Sequence, residues 1–305
     1  MRSGEGAGRG LHGRGILSKP VIIGIAGATL DDAEAALLRL HRPRGVILFS
    51  RNIKNKSQLS DLTGAVRAVL PPDGVLMVDQ EGGRVARLRA PHWPDLPAAS
   101  ALKTAEAAFA HGEALGEMAR EAGFDVVAAP VLDLAFPGAS SVIGDRALSQ
   151  DPRIVAELGA KLAEGILAQG MIPVMKHLPG HGRALVDSHF ALPRVDAPQE
   201  ELEADFYPFR ANRNLPWAMT AHIVYPALDP ELPATLSPAV ISRVIRGVIG
   251  FKGVLVSDDL AMEALAGTPA ERAAAALKAG CDIALYCPGD MAGNVAVLEG
   301  VRDAA

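Results

Sequence analysis

The sequence predicts an α/β protein made of one TIM-like (β/α)8 barrel, and three observations carry that expectation. Eight short β-branched runs recur along the 305 residues, most of them trailed by a segment of helical apolar spacing. The runs are nearly continuous in apolar residues, as strands buried on both faces of a parallel sheet are. Charged side chains collect just after run after run, and in such a barrel that face carries the chemistry.

The first predicted strand is residues 21–26. Its end carries Gly24-Ile25-Ala26-Gly27, which lacks the G-x-G-x-x-G spacing of a dinucleotide-binding turn, so a doubly wound sheet is disfavoured. The helix at 31–40 opens with Asp31 and Asp32, acidic residues that suit the positive end of a helix. Strands at 45–50 and 75–78 flank a helix at 57–69. Helices at 104–122 and 152–169 precede strands at 125–129 and 172–175, and a helix at 199–210 precedes the strand at 217–220. Ser237-Pro238 and Thr268-Pro269 each set an N-cap before a first-turn proline, and they start helices at 238–249 and 269–279. Gly170 and Gly280 stand where helix C-caps are wanted. Strands at 254–257 and 282–286 complete the eight, and 294–305 holds a last helix. Long excursions fall at 80–103, 132–151 and 179–198. No stretch of linker composition divides the chain, so residues 19–305 read as one catalytic barrel domain behind a disordered Gly- and Arg-rich tail, 1–18.

Composition narrows the function. An apolar fraction of 49% is ample for a packed core. The net charge of −5 argues against a nucleic-acid binder. Residues 1–18 carry positive charge without an apolar h-region, so they fail as a secretory signal, and no apolar run reaches membrane-spanning length. Cys281 and Cys287 make no disulfide framework and suit a reducing compartment, so a cytoplasmic protein is expected, with no obligatory protein partner. At 4% aromatic residues, a wide aromatic platform for sugars is not on offer.

The strand ends carry the polar residues. Asp79, Gln80, Glu81, Gly82, Gly83 and Arg84 follow strand three, with Arg87 just beyond. Asp133, Asp145 and Arg146 lie after strand four. Lys176, His177 and His181 follow strand five, then Asp187-Ser188-His189. His222 follows strand six, and Ser257-Asp258-Asp259 strand seven. Burying charges is costly unless they are paired, so their gathering at one mouth points to a site. Two chemistries fit. Metal-assisted hydrolysis would draw on His177 and His181 at i,i+4 spacing, with His189, His222 and aspartates. Pro179-Gly180 forbids the helix that brings such a pair to one face, and no metal or cofactor is expected. Glycoside hydrolysis would use a carboxylate nucleophile and a separate proton donor. Asp258, at the end of a rigid strand, suits the first role. His189, two residues from Asp187, suits an acid/base whose pKa a nearby carboxylate raises.

Three segments make a resemblance specific: Val78-Asp79-Gln80-Glu81-Gly82-Gly83-Arg84-Val85, Lys176-His177-Leu178-Pro179-Gly180-His181-Gly182 with Asp187-Ser188-His189, and Ser257-Asp258-Asp259-Leu260-Ala261-Met262. In this order they resemble glycoside hydrolase family 3, in particular its single-domain bacterial β-N-acetylhexosaminidases, from about Val21 to the C-terminus. The resemblance implies a retaining exo-enzyme that removes terminal β-linked N-acetylglucosamine from muropeptides (GlcNAc-anhydroMurNAc peptides or related small carbohydrates) during cytoplasmic peptidoglycan recycling. By position it implies Asp258 as nucleophile, His189 as acid/base and Asp187 as its dyad partner. It implies sugar binding by Asp79, Arg87, Arg146, Lys176 and His177, and an active-site place for His222. The chain departs from the commonest pattern at Leu178, where Phe is usual, and at Arg183.

Plainer readings stand beside these. Asp259 is expected to be structural, because adjacent strand residues face opposite sides. Glu81, before a Gly-Gly turn, is expected to orient Arg84, and His181 to brace its loop. Trp93 and Trp217 are the residues that could stack on a sugar; Trp217, which opens a strand at its N-terminal end, is expected in the core instead. Other outcomes for the whole chain are a β-glucosidase or other enzyme of that family, and a non-catalytic muropeptide-binding protein.

Overall fold

In the computed structural model, which describes residues 18–186 and 192–301, the apolar runs close into a barrel in chain order. The strands are β1 (Lys19–Gly24), β2 (Pro43–Leu48), β3 (Val75–Val78), β4 (Val126–Val127), β5 (Ile172–Leu178), β6 (Trp217–Thr220), β7 (Val254–Asp259) and β8 (Ile283–Tyr286). Every neighbouring pair is parallel, including β1 with β8, which closes the ring. The expected tail falls almost wholly outside the described residues, as do Asp187 and His189.

The helices are α1 (Asp32–His41), α2 (Lys56–Arg67), α3 (Ala105–Glu121), α4 (Pro152–Ala168), α5 (Gln199–Ala211), α6 (Val240–Val248), α7 (Pro269–Ala279) and α8 (Met291–Gly300). Their starts are chemical. Asp31 accepts from the Glu34 N–H while Glu34 reaches back, a capping box, and Thr268 with Glu271 repeats it at α7. Gly280 ends α7 in the left-handed region. α6 is wound as a π-helix, its hydrogen bonds spanning five residues instead of the expected four, with Ser237 Oγ accepting from the Val240 N–H at 3.0 Å. α8 begins at Met291 rather than at the expected 294, because Asp290 caps it by accepting from Gly293 N–H at 2.6 Å. No helix among the described residues is long and apolar enough to cross a membrane.

Side chains from alternate strand positions fill the barrel, among them Ile22, Met77, Val174, Trp217, Val256 and Ile283. A larger cluster, including Leu38, Leu76, Leu115, Ile166, Phe206 and Leu255, fills the layer between sheet and helices. Each fully buried aliphatic side chain contributes about 1.5–3 kcal/mol. Trp217 is 4% exposed inside the barrel, so it packs the core as expected.

Four strands differ from expectation in length; β8 starts one residue later, and the other three differences shape the mouth. Regular pairing of β4 is short, Val126 and Val127; beyond it Ala128 N–H still donates to the Val78 carbonyl at 2.9 Å and Val131 bridges Lys176, while Pro130 between them has no N–H to donate. β5 runs on to Leu178 and so carries Lys176 and His177 in the sheet. β7 runs on to Asp259 and so carries both aspartates. The seam between first and last strands is tight. A Cβ on Gly24 would meet the Cys287 carbonyl oxygen at 2.2 Å. Arg51 donates to that carbonyl at 2.5 Å and to the Ile25 carbonyl at 3.0 Å, and Asn294 donates to the Gly24 carbonyl at 3.0 Å.

Candidate active site

The turn after β3 is folded by Gln80, which is 1% exposed. Its Oε1 accepts from Arg87 N–H at 2.7 Å and Leu88 N–H at 3.0 Å, and its Nε2 donates to the Leu88 carbonyl at 3.1 Å. The turn thus brings Arg87 back beside Asp79, where its NH2 donates to Oδ2 at 2.7 Å. Lys176, reaching across from β5, donates to Asp79 Oδ1 at 2.7 Å and lies 2.6 Å from Glu81 Oε1. Arg146 closes the array with a two-pronged pair to Glu81, at 2.9 and 2.8 Å. Two carboxylates therefore share three cations.

The electrostatics follow. Burial alone would push the Asp79 carboxyl up, but Lys176 and Arg87 outweigh it and hold Asp79 far below its usual range. Glu81 is likewise held down against its burial by Lys176 and Arg146. Lys176 and Arg146 are held up by the same carboxylates against their own burial. All four are charged at neutral pH.

Across the mouth, β7 presents Asp258. Its Oδ1 accepts from the Asp259 N–H at 2.8 Å. Burial pushes its carboxyl up, while His177 and His222 pull it down, and the balance lies below the ordinary value, so Asp258 is an ionised carboxylate. Asp259 differs. Its Oδ1 accepts from Ala261 N–H and Cys287 N–H, both at 3.0 Å, which ties β7 to the end of β8. Burial leaves its carboxyl above the ordinary value.

His177 is oriented by Asp133, a 1% exposed carboxylate in the excursion after β4. Asp133 Oδ2 lies 2.6 Å from His177 Nδ1, and Oδ1 accepts from His181 N–H at 2.6 Å. An ionised acceptor on Nδ1 fixes the proton there and leaves Nε2 toward the cavity. Burial pushes His181 down to about 4, so that ring is neutral at pH 7.

A cavity of about 220 Å³ lies between these walls, lined by Asp79, Arg84, Arg87, Arg146, Lys176, His177, His181, Asp258 and Asp259 among its polar residues. Ile47, Phe49, Ala128, Met219 and Leu285 are among its apolar ones. Phe49 lies beneath Arg87, whose Cζ is 5.3 Å from the ring centroid. The structure therefore brings together six of the expected residues: Asp79, Arg87, Arg146, Lys176, His177 and Asp258.

Three expectations change. His222 is fully buried, with Nδ1 against Thr235 Oγ1 at 2.8 Å and Nε2 against the Asp259 carbonyl at 2.9 Å. Both ring nitrogens are taken by the protein, so His222 braces the end of β7 from behind instead of touching sugar. Glu81 does not orient Arg84: it holds Arg146 and Lys176, while Arg84 pairs with Asp145 at 2.8 Å and donates to the carbonyls of residues 141–143. Trp93 is 5% exposed in the outer core and does not line the cavity. Sequence reasoning left Asp133 without a role, although a lone aspartate within Pro130-Val131-Leu132-Asp133-Leu134 is the kind of buried charge that demands partners. Among the described residues no group of three or more His, Cys, Asp or Glu is arranged to hold a metal ion.

Comparison with known proteins gives one family. The glycosyl hydrolase family 3 N terminal domain matches residues 21–304. A beta-hexosaminidase of Alkalilimnicola ehrlichii is 44% identical over 286 residues, covering 89% of this chain and 81% of that one. One of Nitrosospira multiformis is 40% identical over 297 residues, covering 92% and 83%. A solved family 3 beta-N-acetylglucosaminidase of Paenibacillus sp. str. FPU-7 superposes with a TM-score of 0.89 at 32% identity; the match covers 94% of this chain and 57% of that one. NagZ of Neisseria gonorrhoeae, solved in complex with N-trifluoroacetyl-D-glucosamine, superposes with a TM-score of 0.85 at 37% identity, covering 93% and 85%.

Proposed function

The chain belongs to glycosyl hydrolase family 3, and from that premise we propose that it is a retaining exo-β-N-acetylglucosaminidase, a β-hexosaminidase of the kind its relatives are named for. The observation that carries the reading is Asp258. It is an ionised carboxylate at the end of a barrel strand, in the same cavity as Asp79, Arg87, Arg146, Lys176 and His177. At about 220 Å³ the cavity is smaller than the ~300–1,000 Å³ of sites that enclose drug-sized ligands, which suits one terminal sugar.

In the proposed reaction Asp258 attacks the anomeric carbon as the glycosidic C–O bond breaks. The leaving oxygen takes a proton from His189, which Asp187 orients. Water then attacks the same carbon, gives its proton to His189, and releases Asp258 from the sugar. Asp79, with Arg87 and Lys176 already on its two oxygens, keeps lone pairs free to accept from sugar hydroxyls. Arg146, Lys176 and His177 Nε2 supply the rest of the polar wall, at roughly 1.5–3 kcal/mol for each hydrogen bond to a charged group. The expected substrate is a small carbohydrate, the N-acetylglucosamine-capped muropeptide of cytoplasmic peptidoglycan recycling, with no cofactor.

Two measurements test this. The 4-nitrophenyl β-N-acetylglucosaminide is expected to turn over and the β-glucoside not; faster hydrolysis of the β-glucoside overturns the substrate assignment. Asp258→Ala is expected to lower kcat by at least about 10³-fold. Retained turnover overturns the nucleophile, and binding of N-acetylglucosamine without any cleavage by the parent chain makes it a sugar-binding protein.

A further inference from the structure

Arg183 follows His181 by two residues and leads toward Asp187 and His189. Its guanidinium is used on every side. Nε donates to Asp205 Oδ2 at 2.7 Å, and NH1 and NH2 donate to the side chain and carbonyl of Glu201, each at 3.1 Å. The plane stacks on Phe136, with Cζ 4.4 Å from the ring centroid. The anchor thus joins the excursion after β4 to the start of α5.

Asp205 is costly where it stands. Its side chain is 3% exposed, its Oδ1 has no hydrogen-bond partner, and burial pushes its carboxyl up to about 6 against the pull of Arg183. A buried ion pair of this kind is weak evidence for stability, but it specifies geometry. The backbone beside it is held as tightly. Gly180 has φ +142, and a Cβ there would meet Asp205 Cβ at 2.8 Å. Tyr225 Oη donates to the Gly180 carbonyl at 2.5 Å, and Ser140 N–H donates to the Ala184 carbonyl at 2.8 Å. Leu185 is 71% exposed. The Pro193 carbonyl accepts from Val224 N–H at 3.0 Å.

We infer that Arg183 and Asp205 are a positioning pair for the acid/base step, fixing where the chain leaves the barrel on its way to Asp187 and His189. This rests on the reading of His189 given above. From Ala184 to His189 an extended chain spans roughly 17 Å, whereas a proton donor must come within about 3 Å of the leaving oxygen. A fixed departure point narrows that range without placing either residue in the cavity, and neither lines it. Arginine is suited to the task because one rigid fork serves two carboxyl-bearing residues while its face stacks on a ring.

The test uses the full chain and two β-N-acetylglucosaminides. The 2,4-dinitrophenyl glycoside has a leaving group that departs without a proton; the methyl glycoside needs one. Arg183→Met keeps an apolar stem against Phe136 and removes the fork. It is expected to lower kcat/KM, which reports the glycosylation step, on the methyl glycoside by roughly 10- to 100-fold and to leave kcat/KM on the dinitrophenyl glycoside nearly unchanged. Asp205→Asn, which keeps the side-chain volume, reads the same pair with a smaller differential should Arg183→Met fail to fold. An equal loss on both substrates, or no loss on either, overturns the inference. His189→Ala in the same assay separates the two claims. A differential loss there with none in Arg183→Met overturns the positioning pair alone; no differential in His189→Ala overturns the acid/base reading itself.

Discussion

On one side of the mouth Asp79 and Glu81 share Lys176, Arg87 and Arg146, while Asp205, on α5, has Arg183 as its ion-pair partner and one oxygen with no partner. Both clusters are buried, and their carboxyls move in opposite directions, Asp79 far down and Asp205 up to about 6. Burial acts upward on both; the supply of cations decides the outcome. Their effects on stability therefore have opposite sign. Asp79 binds its proton less readily folded than unfolded, so its contribution is complete above its ordinary value of 3.8 and drains away as pH falls. Asp205 keeps a proton that the unfolded chain has lost, so its ionisation costs stability, with the cost absent below 3.8 and complete above about 6. The rim is a preformed charged surface, and the loop anchor is a constraint held at an energetic disadvantage.

The most forceful way to break the contrast is Lys176→Met. It strips the cation shared by two buried carboxylates and is expected to cost about 3–5 kcal/mol in urea unfolding at neutral pH. A cost under about 1 kcal/mol sinks the idea that shared pairing holds the rim. Next, Asp133→Asn removes the charged acceptor from His177 Nδ1. A stability loss of roughly 1.5–3 kcal/mol is expected, with a rise in KM for the N-acetylglucosaminide; unchanged KM would show that the ring's tautomer does not matter to sugar binding.

Asp205→Asn sharpens the comparison, because it abolishes a cost that grows with pH. Relative to the parent chain, its stability is expected to improve by roughly 1 kcal/mol between about pH 5 and pH 7.5, by linkage from a carboxyl raised to about 6. A flat difference across that range means that burial does not govern this group. The smallest effect belongs to Asp145→Asn. Its pair with Arg84 is about half exposed on both partners, so the change is expected to stay below about 1 kcal/mol in thermal unfolding and to shrink further in high salt.

The barrel was legible because doubly buried parallel strands must be written as apolar runs, and the residues after them gathered six lining residues of the cavity without any long-range information. What was missed depends on distance through space. Glu81 meets Arg146 and Lys176 only after the ring has closed, and nothing local tells it from a partner of nearby Arg84. His222 sits at a strand end, as cavity residues do, yet Thr235, from a later turn, takes its Nδ1. β7 runs two residues past its apolar stretch, to Asp259, because a strand tolerates charge where it faces a cavity. Arg183 and Asp205 are both unremarkable in sequence and acquire meaning only as neighbours.

The seam between β1 and β8 has a consequence for the growing polypeptide. A chain that stops before Ile283 lacks the partner of both β1 and β7, and lacks the Cys287 N–H that Asp259 accepts beside Asp258. During synthesis the sugar cavity therefore has no complete wall until β8 has left the ribosome. Hydrolytic competence arrives in a single late step, and partial products, however well their early strands pair, carry the residues of the site without the site.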